Sequence, residues 1–183
     1  YFLIHGSFGS PFSNWIPWLE DFIKTDGYDV YVPHFPAGVG FQNYDNWSKL
    51  LKYYYDLGLI RENTTIIAHS IAPVFISKFL IENNIKVKKI ISVCGFNNYF
   101  GINEEYDSVN KTMYIDESKL SNLKKCCDNI ICFYSDNDPY VKYEVEQKFA
   151  DIVATKQILI PNSGHINSES GYDTFEDIAT YLY

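Results

Sequence analysis

Chemistry at an acyl carbon needs a nucleophile, a base and a group that orients the base, and this chain offers all three at strand exits. Thr64-Thr65-Ile66-Ile67-Ala68-His69-Ser70-Ile71-Ala72-Pro73 is a β-branched run that stops at a small-x-Ser-x-small pentapeptide, with a helical pattern directly behind it. A serine on such a strand–sharp turn–helix elbow is held strained, with its hydroxyl exposed. Small residues two positions before and two after it let strand and helix backbones approach closely. Glycine is usual at both positions; Ala68 and Ala72 each add a methyl where crowding is worst. A serine at a strand end is by itself an ordinary helix cap, so the reading depends on its partners. A hydroxyl attacks at neutral pH only when a neighbouring base takes its proton and a third group orients that base.

Those partners follow in the chain. Residues 129–134 read as a buried strand that exits into Ser135-Asp136-Asn137-Asp138-Pro139-Tyr140-Val141. Residues 156–160 read as another, exiting into Pro161-Asn162-Ser163-Gly164-His165. Asp-Pro and Ser-Gly-His are also ordinary turn chemistry, but the order Ser, Asp, His at three strand exits is that of α/β-hydrolases. Of the two aspartates, Asp138 suits the role of acid, because Pro139 holds the preceding residue extended; Asp136 is expected to brace the turn. Near the start, Tyr1-Phe2-Leu3-Ile4 precedes His5-Gly6-Ser7-Phe8-Gly9-Ser10, the usual place for an oxyanion donor. The expected donors are the backbone N–H groups of Ile71, next to the nucleophile, and of Ser7, with Phe8 as the alternative to Ser7. His5 is expected to brace its loop, His69 to pack away from Ser70, and His34 to lie at the surface. The four histidines share no metal-ligand spacing, so neither a metal nor a cofactor is expected.

The segments His5-Gly6-Ser7-Phe8-Gly9-Ser10-Pro11-Phe12-Ser13-Asn14-Trp15, Ala68-His69-Ser70-Ile71-Ala72, Ser135-Asp136-Asn137-Asp138-Pro139-Tyr140-Val141 and Gly164-His165-Ile166-Asn167 resemble the small serine hydrolases of the retinoblastoma-binding-protein-9 and YdeN type. The similarity runs through nearly the whole chain. It implies Ser70 as nucleophile, Asp138 as triad acid and His165 as base. The family's name suggests a retinoblastoma-protein partner bound through a Leu-x-Cys-x-Glu peptide. None of Cys94, Cys126, Cys127 and Cys132 has that context, so the partner is not expected here.

The elements that must position these residues alternate. Strands are expected at about residues 1–5, 28–33, 64–68, 88–94, 129–134 and 156–160, with helical spacing of apolar residues between them. Trp15, Trp18, Leu19, Phe22 and Ile23 form one such stripe, with Asn14 as its cap and Pro17 inside the tolerant first turn. Trp47, Leu50, Leu51 and Tyr54 form another. This predicts an α/β three-layer sandwich of the α/β-hydrolase kind, with about six mostly parallel strands and helices on both faces. Sites in such sheets form at the carboxyl ends of the strands, where Ser70, Asp138, His165 and the His5-Gly6 loop all fall.

With 183 residues the chain is expected to be a single domain over 1–183 with a sizeable core. Residues 96–117 break the alternation with aromatics beside acids, and a cap or lid walling an acyl pocket is expected there. Phe8, Trp15, Phe96, Tyr99 and Phe100 are the candidate substrate contacts. A net charge of −8 argues against nucleic-acid and anionic-membrane partners, which need clustered Lys and Arg. Four cysteines in so long a chain make no disulfide framework, and reduced thiols in the cytoplasm are expected. No apolar run reaches transmembrane length and no signal peptide is apparent, although the chain begins in a core strand without methionine, so upstream residues are a possibility to keep open. The expected function is a monomeric serine hydrolase acting on a small ester, thioester or activated amide. The competing readings are a binding module on the same fold, favoured by the elbow alanines, and transfer to an acceptor other than water.

Overall fold

The computed structural model describes residues 1–98 and 104–183. Five strands, β1 (Phe2–Ile4), β2 (Thr65–His69), β3 (Lys89–Val93), β4 (Ile130–Ser135) and β5 (Lys156–Ile160), pair in that order. All pairs are parallel. Their register sets rows across the sheet: Phe2, Ile66, Ile90 and Ile130 lie side by side, as do Leu3, Ile67, Ile91 and Ile131. Because side chains alternate along a strand, the first row enters one core and the second enters the other. A sheet buried on both faces favours apolar residues on both, hence the near-continuous Ile-rich runs. The edge strand β5 departs from this with exposed Lys156 and Gln157, which discourage pairing with another chain.

Helix α1 (Ile16–Thr25) packs Ile16, Leu19 and Ile23 on the Leu3 face, joined there by Phe175, Ile178 and Leu182 around α7 (Glu176–Ala179). The opposite face is covered by α2 (Tyr44–Asp56), α3 (Ala72–Asn83) and α6 (Tyr143–Val153) through Trp47, Leu51, Phe75, Phe79, Phe149 and Val153. α1 starts after Trp15, not after Asn14, whose backbone is left-handed at φ 56°. A short helix, α4 (Glu104–Asn110), lies in the stretch expected to depart from the alternation, and another, α5 (Glu117–Leu120), starts where that stretch ends.

The sheet has five strands where six were expected, and Pro33 is the reason. Tyr31 donates its N–H to Tyr1 O and accepts from Leu3 N–H, forming a single parallel bridge with Phe2. The next rung outward would need an N–H from residue 33 to Leu3 O, which proline lacks. Residues 28–33 still flank β1, and this fixes the winding. Right-handed crossovers carry the chain outward from β1 over one face through α1, then back over the other through α2. The winding therefore reverses at β1 and β2, and the carboxyl ends of strands at such a reversal open a crevice.

Candidate active site

Ser70 stands at the end of β2 with φ 64°, a left-handed conformation that costs a non-glycine residue of order 1–3 kcal/mol. The surrounding structure enforces it. Ser70 N–H donates to Val93 O at 2.9 Å, tying the elbow to the end of β3. Ile71, the N-cap of α3, and Ala68 and Ala72 are all fully buried. Gly6 closes the other side, since a Cβ there would stand 2.7 Å from Ser70 Cβ. Glycine at 6 is thus required by close approach to the serine. Positive φ recurs around the same crevice, at Phe8, Cys94 and the β-branched Ile166, which is how strain gathers at functional sites.

His165 is held to Asp138, with Nδ1 and Oδ2 2.5 Å apart. Asp138 Oδ1 meanwhile accepts the N–H groups of Tyr140 at 2.7 Å and Val141 at 3.0 Å. Burial alone would raise the Asp138 carboxyl; the hydrogen bond and charge of His165, with donation from Glu146 and Val141, outweigh it and hold the group below the usual carboxylate range. The two loops that carry this pair are stitched by three successive amides. Asn162 N–H donates to Asp136 Oδ1, Ser163 N–H to Ser135 Oγ and Gly164 N–H to Asn137 Oδ1. Asp136 therefore braces the site by joining its turn to the histidine loop, and not by bonding within its own turn. Gly164 has φ 56°, and a Cβ there would come 2.2 Å from Ser170 Oγ, so the histidine loop depends on it.

Two further histidines act on the site through the backbone. His5 Nε2 accepts Phe35 N–H at 3.1 Å, which places its proton on Nδ1, 2.9 Å from Gly6 O. It braces the glycine loop, as expected. His69 does more than pack: its Nε2 lies 2.9 Å from His165 O, and a carbonyl oxygen only accepts, so the proton is on Nε2. Burial, helped by the nearby His165, lowers His69 to about 3. Burial likewise lowers His5 to about 4, against the pull of its bond to Gly6. An unfolded histidine titrates near 6.5, so both rings contribute stability that is present above that pH and lost as pH falls towards the folded values. The melting temperature is accordingly expected to be flat above pH 7 and to drop between about pH 6.5 and 4. His69→Gln, which cannot titrate, should blunt the fall, and an unchanged melting temperature from pH 7 to 5 would sink the assignment.

Ser70 and His165 share a cavity of about 220 Å³, whose wall includes Gly6, Ser7, Phe8, Phe96, Tyr106 and Tyr140. Of the expected substrate contacts, Phe8 and Phe96 line it. Trp15 does not: it is buried and donates its indole N–H to Ile166 O at 2.9 Å, bracing the histidine loop from behind. Tyr99 and Phe100 lie outside the described residues. Asn14 lines the cavity and accepts Ser168 N–H in place of capping α1. Residues 97 and 115 are clamped together by the Asn97 side chain, which donates to Ile115 O and accepts Ile115 N–H. Between them α4 brings the Tyr106 ring 5.0 Å from that of Phe8.

A polar chain that no sequence motif announces lies behind the Gly6 loop. Phe8 N–H donates to Gln42 Oε1, Gln42 Nε2–H donates to Asn110 Oδ1, and Ser7 Oγ–H donates to the same oxygen. Both Gln42 and Asn110 are buried polar residues, and no local motif marks either. Glu146, buried on α6, carries no sequence signal either. Cys94, Asp138, Glu146 and His165 bring ligand-type atoms within 4.8 Å of one another. A metal would need these groups deprotonated, whereas burial and the Asp138 charge push Glu146 up to about 10 and hold the Cys94 thiol well above its ordinary value. The donor set thus suits a hydrogen-bonded acid cluster better than a metal centre.

The description of one protein family, serine hydrolase, fits residues 1–183. Among solved structures, the ydeN gene product of Bacillus subtilis is 22% identical, with a TM-score of 0.84 over 99% of this chain and 95% of its own. A YdeN-like hydrolase of Pectobacterium atrosepticum is 17% identical, with a TM-score of 0.70 over 99% and 86%. Est1E of Butyrivibrio proteoclasticus, solved with ferulic acid bound, is 12% identical, with a TM-score of 0.69 over 99% and 88%. At these identities the likeness is one of fold, that of α/β-hydrolases. No curated protein sequence matches the chain.

Proposed function

We propose that this chain, which belongs to the serine hydrolase family, cleaves a small ester, thioester or activated amide through an acyl-enzyme on Ser70. The observation that carries the reading is the Asp138–His165 pair opening on the same cavity as a serine held at φ 64°. With Nδ1–H bonded to Asp138, Nε2 of His165 carries the lone pair that takes the Ser70 proton as Oγ attacks the carbonyl. Asp138 holds that tautomer and stabilises the imidazolium. The oxyanion is received by the N–H of Ile71, at the positive end of α3, and by the N–H of Ser7. Phe8, the alternative donor, is committed to Gln42. His165 then returns its proton to the leaving group and activates water against the acyl-enzyme. Each step uses only these side chains and amides.

Phe8, Phe96, Tyr106 and Tyr140 give the cavity an aromatic wall, which suits a short or single-ring acyl group, with Phe96 and α4 as described parts of the cap. Among the described residues no helix is long and apolar enough to cross a membrane. Four free, buried cysteines support a reducing cytoplasmic setting, and a monomer acting on a small molecule completes the reading. A fluorophosphonate probe and short-chain p-nitrophenyl esters test it: one adduct per chain, on Ser70, and measurable turnover are expected. Folded protein that neither labels nor hydrolyses any ester would instead be a binding module on the same fold.

A further inference from the structure

Glu146 is the buried titratable group that this mechanism leaves without a task. It enters the site from the first turns of α6, behind Asp138. Its residue is 1% exposed, and Oε2 accepts Ser135 N–H at 3.2 Å. Its other oxygen, Oε1, is fully enclosed and makes no hydrogen bond to an amide or hydroxyl. What does face the carboxyl is the Asp138 carboxylate, at hydrogen-bonding range, together with the Cys94 thiol. Two carboxylates cannot bond to each other, and an ionised pair at this depth would be strongly repulsive. One shared proton turns the orphaned oxygen into a donor and removes the repulsion in the same step.

We propose that Glu146 is a positioning residue that stays a neutral carboxylic acid and donates its proton to the Asp138 carboxylate, holding the triad acid from behind. The proposal rests on the assignment of Asp138 and His165 as acid and base. The proton belongs on Glu146 because Asp138 also receives the amides of Tyr140 and Val141 and faces His165, all of which favour its charged form. The Ser135 amide and the Cys94 thiol favour the charged form of Glu146, but burial and the Asp138 charge outweigh them, and the more distant Tyr134 brings no positive charge. Burial and the Asp138 charge push its carboxyl up to about 10, in agreement with the geometry.

Donation from Glu146 disperses the negative charge that Asp138 presents to His165. Without it the imidazolium is overstabilised and the acid less firmly aimed, so the base form is reached only at higher pH. Glu146→Leu is therefore expected to lower kcat about 10- to 100-fold, the loss typical of one hydrogen bond to a charged group, with KM little changed. The acid limb of kcat/KM should move to higher pH. Glu146→Gln presents an N–H to Asp138 and an oxygen to Ser135, and is expected to restore most of what Leu loses, with the limb in its wild-type place. Infrared difference spectra between wild type and E146Q at pH 7–9 should show the carbonyl band of an un-ionised carboxylic acid, whether or not the protein is active. That separates failure of this inference from failure of the triad. The proposal is overturned if the band is missing, if E146Q loses as much as E146L, or if the acid limb of E146L stays in place. It is also overturned if a chelator alters the band, which would put a metal in the cluster.

Discussion

Replacing Ser70 with alanine is expected to abolish fluorophosphonate labelling and to lower kcat by on the order of 10⁴ to 10⁶, while leaving the melting temperature nearly unchanged. The loss is large because the nucleophile has no substitute: the other cavity-lining serines, Ser7 and Ser13, are each hydrogen-bonded within the Gly6 loop and its supports. Stability is spared because the elbow is held by backbone and packing. The N–H of residue 70 still reaches Val93 O, and Ile71, Ala72 and Pro73 still bury α3. Alanine also has no greater difficulty than serine at φ 64°. Labelling that survives the substitution, or turnover that falls less than about tenfold, would remove Ser70 from the nucleophile's role.

Asp138→Asn is expected to cost roughly 10⁴ in kcat with little change in KM, and the hydrogen bonds show why. The amides of Tyr140 and Val141 both point at Oδ1, so an asparagine there must turn its oxygen to them. Its NH₂ then faces His165 Nδ1, which can only accept. The imidazole proton is driven to Nε2, the nitrogen that has to be the base. Asp136→Asn provides the contrast. Asp136 accepts Asn162 N–H from an exposed position, and an asparagine oxygen can accept the same bond. A small fall in melting temperature and near-normal turnover are expected there. A larger catalytic loss at Asp136 than at Asp138 would mean that the acid has been misassigned.

The convergence of Ser70, Asp138 and His165 was legible in the sequence because a parallel sheet brings every strand's carboxyl end to one edge. Reading β2, β4 and β5 as strands is then enough to bring Ser70, Asp138 and His165 together, although they are far apart in the chain. Local chemistry also sufficed for Pro139 behind Asp138, whereas the amide that Asp136 accepts comes from Asn162 in the neighbouring loop. His5 beside its glycine turn was readable in part, since its Nδ1 bonds to the adjacent Gly6 O, whereas the Phe35 N–H on its Nε2 comes from 30 residues away.

Other features depended on contacts that no local pattern encodes. Residues 28–33 have strand-like composition, yet only the register against β1 shows that Pro33 falls where the next N–H is needed. Trp15 has the spacing of a helix stripe, and its indole reaches Ile166 O, 151 residues away. His69 alternates away from Ser70, which reads as packing, until the fold brings the carbonyl of His165 to its Nε2. Gln42 and Asn110 are polar residues of no recognisable motif; 68 residues apart, they become one brace of the Gly6 loop. Glu146 sits in an amphipathic helix as an acid like any other on its surface. Only burial against Asp138 and Cys94 decides its charge state, because desolvation and like charge are properties of the assembled site and not of the residue. The residues proposed to react were therefore written in the strand exits, and the environment that tunes and holds them was decided by tertiary packing.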